Sequence, residues 1–173
     1  MATWQFGPFD NDDAVEWCAI LEGSAPDQRT ELVRRTLEAA ALAGPALPPE
    51  RAAQAIAAAA TVIQSLTGMP SSESAYAPRF LLGRADVYVD PSLRDLATRA
   101  LEAVLAEGSA WRLRWAGNIE EEEALSVVKK LSTSLATGSP RPHRSKVVSG
   151  QMPRERALQF GQEVGDGPED LPT

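Results

Sequence analysis

The sequence predicts an all-α bundle of five or six helices, with an extended N-terminal aromatic arm and a poorly structured C-terminal tail. Three observations lead there. Apolar residues recur at three- and four-residue spacing along most of the first 137 positions. Glycine and proline interrupt that pattern at intervals that suit helix ends. Past Gly138 the pattern gives way to proline, serine and positive charge. The expected organisation is an α-helical domain over residues 1–137 and a flexible tail over residues 138–173.

The first helix is expected over residues 11–22, with Ala14, Trp17, Cys18 and Leu21 on one face and Gly23 as its stop. A second begins after Pro26 and Asp27 and runs to Ala43, carrying Val33, Leu37, Ala40 and Ala41, with Gly44 and Pro45 ending it. A third opens at Pro48, Pro49 and Glu50, where proline suits the first turn, and stops at Gly68. Its many alanines allow neighbours to approach closely, which places it centrally. Residues 76–82 suit a short helix and residues 86–89 an extended stretch.

Asp90, Pro91 and Ser92 start a fourth helix, which holds Leu93, Leu96, Ala97, Ala100, Leu101, Val104 and Leu105 and closes at Gly108. Ser109 is the expected cap of a short helix with Trp111 and Trp115, broken by Gly117 and Asn118. The last helix carries Leu125, Val128, Leu131 and Leu135 and ends at Gly138.

Composition narrows the function classes. A chain of 173 residues with 43% hydrophobic and 24% charged residues has enough material for a core without staples. Its one cysteine, Cys18, excludes an intrachain disulfide and fits a reducing compartment. The start of the chain has no basic residue and no apolar run, unlike a secretory signal. The longest weakly apolar run, residues 55–63, is too short for a bilayer, which needs about 20 residues. The expectation is a cytoplasmic protein that engages no membrane.

Charge is unevenly spread. Residues 1–128 hold 10 basic and 19 acidic side chains, net −9. Residues 129–156 hold seven basic and one acidic, net +6, and residues 157–173 are net −4. An acidic body repels nucleic acid and suits a protein partner of basic character. The basic stretch is also suited to clamp the acidic body and regulate access to it.

The stretch WQFGPFDNDDAVEW, residues 4–17, gathers Asp10, Asn11, Asp12 and Asp13. With Asp10 as N-cap, its carboxylate accepts from the N–H of Asp12 or Asp13, and Asp13 takes the reciprocal position of a capping box. Phe9 and Ala14 then form a weak hydrophobic staple. Asp12 and Asp13 in a first turn are favoured by the helix dipole. The alternative is a divalent-metal or small-ligand site in this cluster, serving an enzyme. The glycine and distal glutamate of a Ca²⁺ loop are absent. Helix initiation accounts for all these acids, so no metal and no cofactor are expected.

The same stretch resembles the opening of a bacterial family known only as a domain of unknown function, number four-two-five-nine. Its pattern is W-G-x-G-x-F-D-N-D-x-A-x-D-W. Trp4, Gly7, Phe9, Asp10, Asn11, Asp12, Ala14 and Trp17 match, while Gln5 and Glu16 replace a glycine and an aspartate. Weaker similarity runs through residues 52–63, 93–105 and 109–115, so the resemblance covers about residues 1–136. Residues 119–125 lack the tryptophan usual near the start of the last helix. The resemblance implies an α-helical fold and no particular activity.

Several residues are weighed as chemistry and read as structure. Trp4, Phe6, Phe9 and Trp17 are expected to pack an arm over the bundle, with Gly7 permitting a close approach. His143, the only histidine, lies in a proline-flanked tail, a poor place for a catalytic imidazole. Cys18 falls on a buried face. Trp111 and Trp115 interleave with Arg112 and Arg114 as a base-stacking patch would, but four-residue spacing makes them a core-facing pair.

Glu120, Glu121, Glu122 and Glu123 suit a helix start and offer a docking site for a basic partner. There is no P-loop, dinucleotide glycine pattern, H-E-x-x-H or nucleophile elbow. The expected function is therefore a non-catalytic interaction module of the adaptor or toxin-neutralising immunity type.

Overall fold

The computed structural model describes residues 6–79 and 86–138. All of them lie within one unit, Met1–Pro142. Among the described residues six α-helices follow in order: α1 Asp12–Gly23, α2 Pro26–Ala43, α3 Pro49–Thr67, α4 Pro91–Leu105, α5 Ala110–Trp115 and α6 Glu121–Thr137. A 3-10 turn, Gly44–Ala46, joins α2 to α3. The fold is all-α. The tail with its basic residues and His143, and Trp4 of the arm, lie outside the described residues.

Helix α3 is the axis of the bundle and touches all five other helices. Ala52, Ala55 and the run Ala57, Ala58, Ala59 and Ala60 are completely buried, as are Thr61 and Gln64. Small side chains let the surrounding helices approach the α3 backbone closely, and the larger residues of the core come from the neighbours. Leu21 of α1, Val33 and Leu37 of α2, Leu93 and Leu101 of α4, and Leu135 of α6 are buried around it. Thr61 Oγ1 donates to the Ala57 carbonyl, which hides its hydroxyl inside the helix. The Gln64 amide donates to the Pro78 carbonyl, a bond that pins the following loop to α3.

Local sequence sets most helix ends. Pro26, Pro49 and Pro91 occupy first turns, where the missing N–H costs nothing. Asp90 caps α4 by accepting from Leu93 N–H at 2.6 Å. Ser109 caps α5 by accepting from Arg112 N–H at 3.1 Å. Gly68 ends α3 at φ 68°, a left-handed conformation that glycine adopts freely.

Three expectations need correction, those for Gly23, residues 76–82 and Gly108. Gly23 is the last residue of α1 rather than its stop, and Ser24 terminates the helix by donating from both its N–H and its hydroxyl to Ile20 O. Within residues 76–82, positions 76–78 form a turn, 3-10 helical geometry is present at Arg79, and residues 80–82 lie outside the described residues. Ala77 N–H donates to Ser74 O, and Pro78 has no N–H with which to continue a helix. Residues 86–89 pair with no strand among the described residues; Tyr88 N–H donates to Thr30 Oγ1 on α2 instead. Helix α4 ends at Leu105, ahead of Gly108, in a turn where Ser109 N–H donates to Ala106 O.

Two arginines do work that helix periodicity does not reveal. Neither α1 nor α6 has a basic residue in its last turn. Arg29 of α2 supplies that charge to α1, donating to Leu21 O at 3.2 Å and Glu22 O at 3.1 Å. Its Nη1 also pairs with Asp86 at 2.7 Å, which ties the α3–α4 connection to α2. Arg94 of α4 does the same for α6, donating to Leu135 O at 2.6 Å and Ala136 O at 3.1 Å. Arg34 pairs with the capping residue Asp90 at 3.2 Å.

Arg29 is 7% exposed, so truncating it strands the part-buried Asp86 carboxylate and two carbonyls. Arg29→Ala is expected to cost about 3 kcal/mol by urea unfolding. Arg35→Ala, which removes an exposed i,i+4 pair with Glu31, is expected to cost less than about 0.5 kcal/mol.

Candidate functional site

Two places carry the residues singled out by sequence: the N-terminal motif leading into α1, and the start of α6.

The motif begins with a turn closed by Asp10 N–H donating to Gly7 O at 3.1 Å. The turn folds the Asp10 carboxylate back over Gly7. A Cβ built on Gly7 would lie 1.9 Å from Asp10 Oδ2, so the close approach expected of this glycine is real and its occupant is Asp10. With Asp10 engaged there, the cap passes to its neighbour. Asn11, in an extended conformation, accepts from Ala14 N–H at 2.9 Å. Asn11 is therefore the N-cap in place of Asp10, Ala14 is N3, and no capping box forms through Asp13. Asp12 and Asp13 become the first two helical residues, where the dipole favours them.

The aromatics pack as an arm should. Phe9 is wholly buried, and Phe6 lies 6.3 Å from Trp115, ring centre to ring centre. Trp111 and Trp115 are both buried and 6.2 Å apart, a core pair. Trp17 is buried, and its indole N–H donates to Thr36 Oγ1 of α2 at 2.9 Å. These contacts join the motif to α2 and α5.

The start of α1 also borders a cavity of about 40 Å³ lined by Asn11, Asp12, Asp13, Ala53, Arg114 and Trp115, among others. That is room for a single water molecule. Burial holds the Asp13 carboxyl above its usual range. The negative charge of Glu50 adds to this, Arg114 partly offsets it, and Asp12 and Glu16 add smaller amounts. Among the described residues, no three His, Cys, Asp or Glu side chains are placed to hold a metal ion. Cys18 is buried, and that burial, aided by the charge of Glu22, pushes its thiol up to about 12. At neutral pH it offers no thiolate nucleophile.

At α6 the four acids divide. Glu121 accepts from Gly117 N–H at 2.9 Å and so fastens the α5–α6 turn. Glu120, Glu122 and Glu123 are exposed. The ion pairs among the described residues join Arg29 to Asp86, Arg34 to Asp90, Arg35 to Glu31 and Arg99 to Asp95; none involves α6. Ile119, within this turn, is 95% exposed. Two open grooves flank the outer face of α6. One, of about 640 Å³, holds Ile119, Leu125, Glu122 and Lys129 among its lining. The other, of about 430 Å³, is lined by Phe6, Glu122, Glu123, Ser126, Val127 and Lys130. Among the described residues, no helix is long and apolar enough to cross a membrane.

Sequence reasoning missed Arg29 and Arg94. Every helix but α5 lacks a cation in its last turn, so that absence does not mark out α1 and α6, and nothing local names the donor.

Residues 2–127 match the family model described as Domain of unknown function (DUF4259). The match takes in the motif, the central helices and the acidic turn, and it ends within α6, short of the residue 136 expected from sequence. No curated protein matches the chain, and neither does any solved structure.

Two outcomes follow for the motif. Asn11→Ala is expected to cost about 1 kcal/mol in urea unfolding, and Asn11→Ser, which keeps a capping oxygen, to recover most of it. Asp13 favours the folded state while protonated and disfavours it once ionised, because its carboxyl is raised on folding. Asp13→Asn is therefore expected to exceed the parent in stability at about pH 7. The advantage is expected to shrink as the pH falls through the raised folded value towards about 4 and to vanish below it, where the parent is protonated in both states.

Proposed function

The chain belongs to the family described as Domain of unknown function (DUF4259), and we propose that it is a non-catalytic protein–protein interaction module acting in the cytoplasm. Its docking element is the acidic turn at the start of α6, and its partner presents a basic segment. One observation carries the reading: Glu120, Glu122 and Glu123 stand exposed and form no ion pair among the described residues, beside an isoleucine that is 95% exposed. An exposed aliphatic side chain rimmed by unpaired charge is the composition of a recognition patch. The charges steer a basic partner into place, and Ile119 supplies apolar area to bury. Glu121 belongs to the turn rather than to the partner, since its carboxylate holds Gly117.

The arrangement fits the adaptor or toxin-neutralising immunity class, in which a helical body presents an acidic face to a basic protein. The catalytic alternative draws less support. Asp12 and Asp13 serve the first turn of α1, the adjoining cavity takes about one water, and the lone cysteine is held as a thiol.

The test is a quantitative pull-down from extracts of the native organism, with the wild-type chain and two variants as bait. A stoichiometric partner is expected to be retained at low salt and reduced at high salt. Replacing Glu120, Glu122 and Glu123 together by glutamine is expected to lower its recovery at least tenfold, and Ile119→Ser to lower it further at every salt concentration. Equal recovery on the wild-type and triple-variant baits overturns the proposal.

A further inference from the structure

The charges on α6 make a second pattern, which a basic partner alone would not use. The buried stripe of this helix is Ala124, Val128, Leu131 and Leu135. At about 100° per residue, Ser126 lies at the centre of the opposite face. Glu122, Ser126 and Lys130 form an i, i+4, i+8 ridge along that face, and the same three residues line both flanking grooves. The ridge is negative at its N-terminal end and positive at its C-terminal end, with a small residue midway.

The helix cannot neutralise this pattern internally. Residues four before Lys129 and Lys130 are Leu125 and Ser126, so no i,i+4 pair is available to either lysine. Neither lysine forms an ion pair among the described residues, and both are exposed.

We propose that the exposed face of α6 is a self-association surface, on which α6 of a second copy lies antiparallel about a two-fold axis beside Ser126. The helical geometry fixes the partners. Glu122 and Lys129 fall on one side of Ser126, and Glu123 and Lys130 on the other. A two-fold axis across the helices exchanges their ends and keeps their sides. Glu122 then meets Lys129 of the second copy, Glu123 meets Lys130, and symmetry repeats both pairs.

Ser126 lets the backbones approach at the crossing, and each ridge settles into a flanking groove of the other copy. Ile119 comes beside Thr133 of the second copy, and the half-buried Leu125 gains cover. Antiparallel alignment also sets the positive end of each helix dipole near the negative end of the other. A 17-residue helix is only about 25 Å long, which gives an interface below the usual stable size. The pair is accordingly a reversible one that weakens with salt.

This inference stands apart from the proposed partner, although the two compete for Glu122 and Glu123. Sedimentation velocity of the full chain over a concentration series tests it. The wild type is expected to move from the 18.5 kDa monomer towards twice that mass, and less so at high salt. Reversing Glu122 and Glu123 to lysine, or Lys129 and Lys130 to glutamate, is expected to abolish the shift. All four reversals in one chain, or an equal mixture of the two double variants, are expected to restore it. Ser126→Trp, which blocks the crossing at a half-buried position outside the core stripe, is expected to abolish it and decides the matter if a reversal variant fails to fold by circular dichroism. A chain that stays monomeric throughout overturns the proposal, as does a dimer indifferent to these changes. Either result leaves the pull-down reading standing, because that reading is scored on a different protein.

Discussion

Helix α3 is where every other helix of this bundle meets, and its contacts are possible because the helix is built of alanine. A run of four completely buried alanines offers almost no side-chain volume of its own. The neighbours can therefore press close to its backbone and fill the space with their own leucines and valines, at the density a protein interior requires. The same constraint makes the core sensitive to enlargement at these positions, since an added isobutyl group has no vacancy to enter. It also accounts for the polar pair Thr61 and Gln64. Each is buried in the same helix, and each satisfies its hydrogen bonding with a nearby backbone carbonyl.

Around that axis the helix ends are joined to one another rather than left to solvent. The last carbonyls of α1 and α6 are taken by arginines from α2 and α4. The first turn of α4 is capped by Asp90, which Arg34 of α2 holds in turn. A charge placed on one helix thus completes the electrostatics of another, and the connection leading into α4 is fixed through Arg29 and Thr30. The N-terminal motif follows the same economy. Gly7 makes room for Asp10, Asp10 leaves the cap to Asn11, and Trp17 ties the new helix to Thr36. Residues that look like a metal cluster in the sequence are here parts of a turn and a helix start.

The outer face of α6 is built on the opposite principle. Its inner stripe of Ala124, Val128, Leu131 and Leu135 is committed to the core, while its outer charges are paired with nothing among the described residues. Unpaired charges on the same helix as a firmly anchored stripe form a rigid, prearranged pattern, and rigidity lowers the entropy cost of docking. Rigidity and charges left unpaired among the described residues are what support the recognition role proposed for this face.

The helices themselves were legible in the sequence because helical hydrogen bonds and caps join residues within four positions of one another. Periodicity, proline at first turns and glycine at ends located all six helices, the Ser109 cap, the Trp111–Trp115 pair and the burial of Cys18. The errors came where local rules gave near-equal answers. Asp10 and Asn11 are both good caps, and only the turn over Gly7 decides between them. Residues 76–78 are apolar enough for a helix, yet they form a turn whose Pro78 carbonyl is held by Gln64 of α3, and helical geometry is present only from Arg79. Tertiary structure alone decided that Arg29 and Arg94 would serve helices distant in sequence, that Asp13 would have its carboxyl raised by burial beside Glu50, and that Ser126 would stand at the centre of an open charged face. Each of these depends on which surfaces lie against each other, and contact between residues far apart in the chain leaves no periodic trace in the sequence.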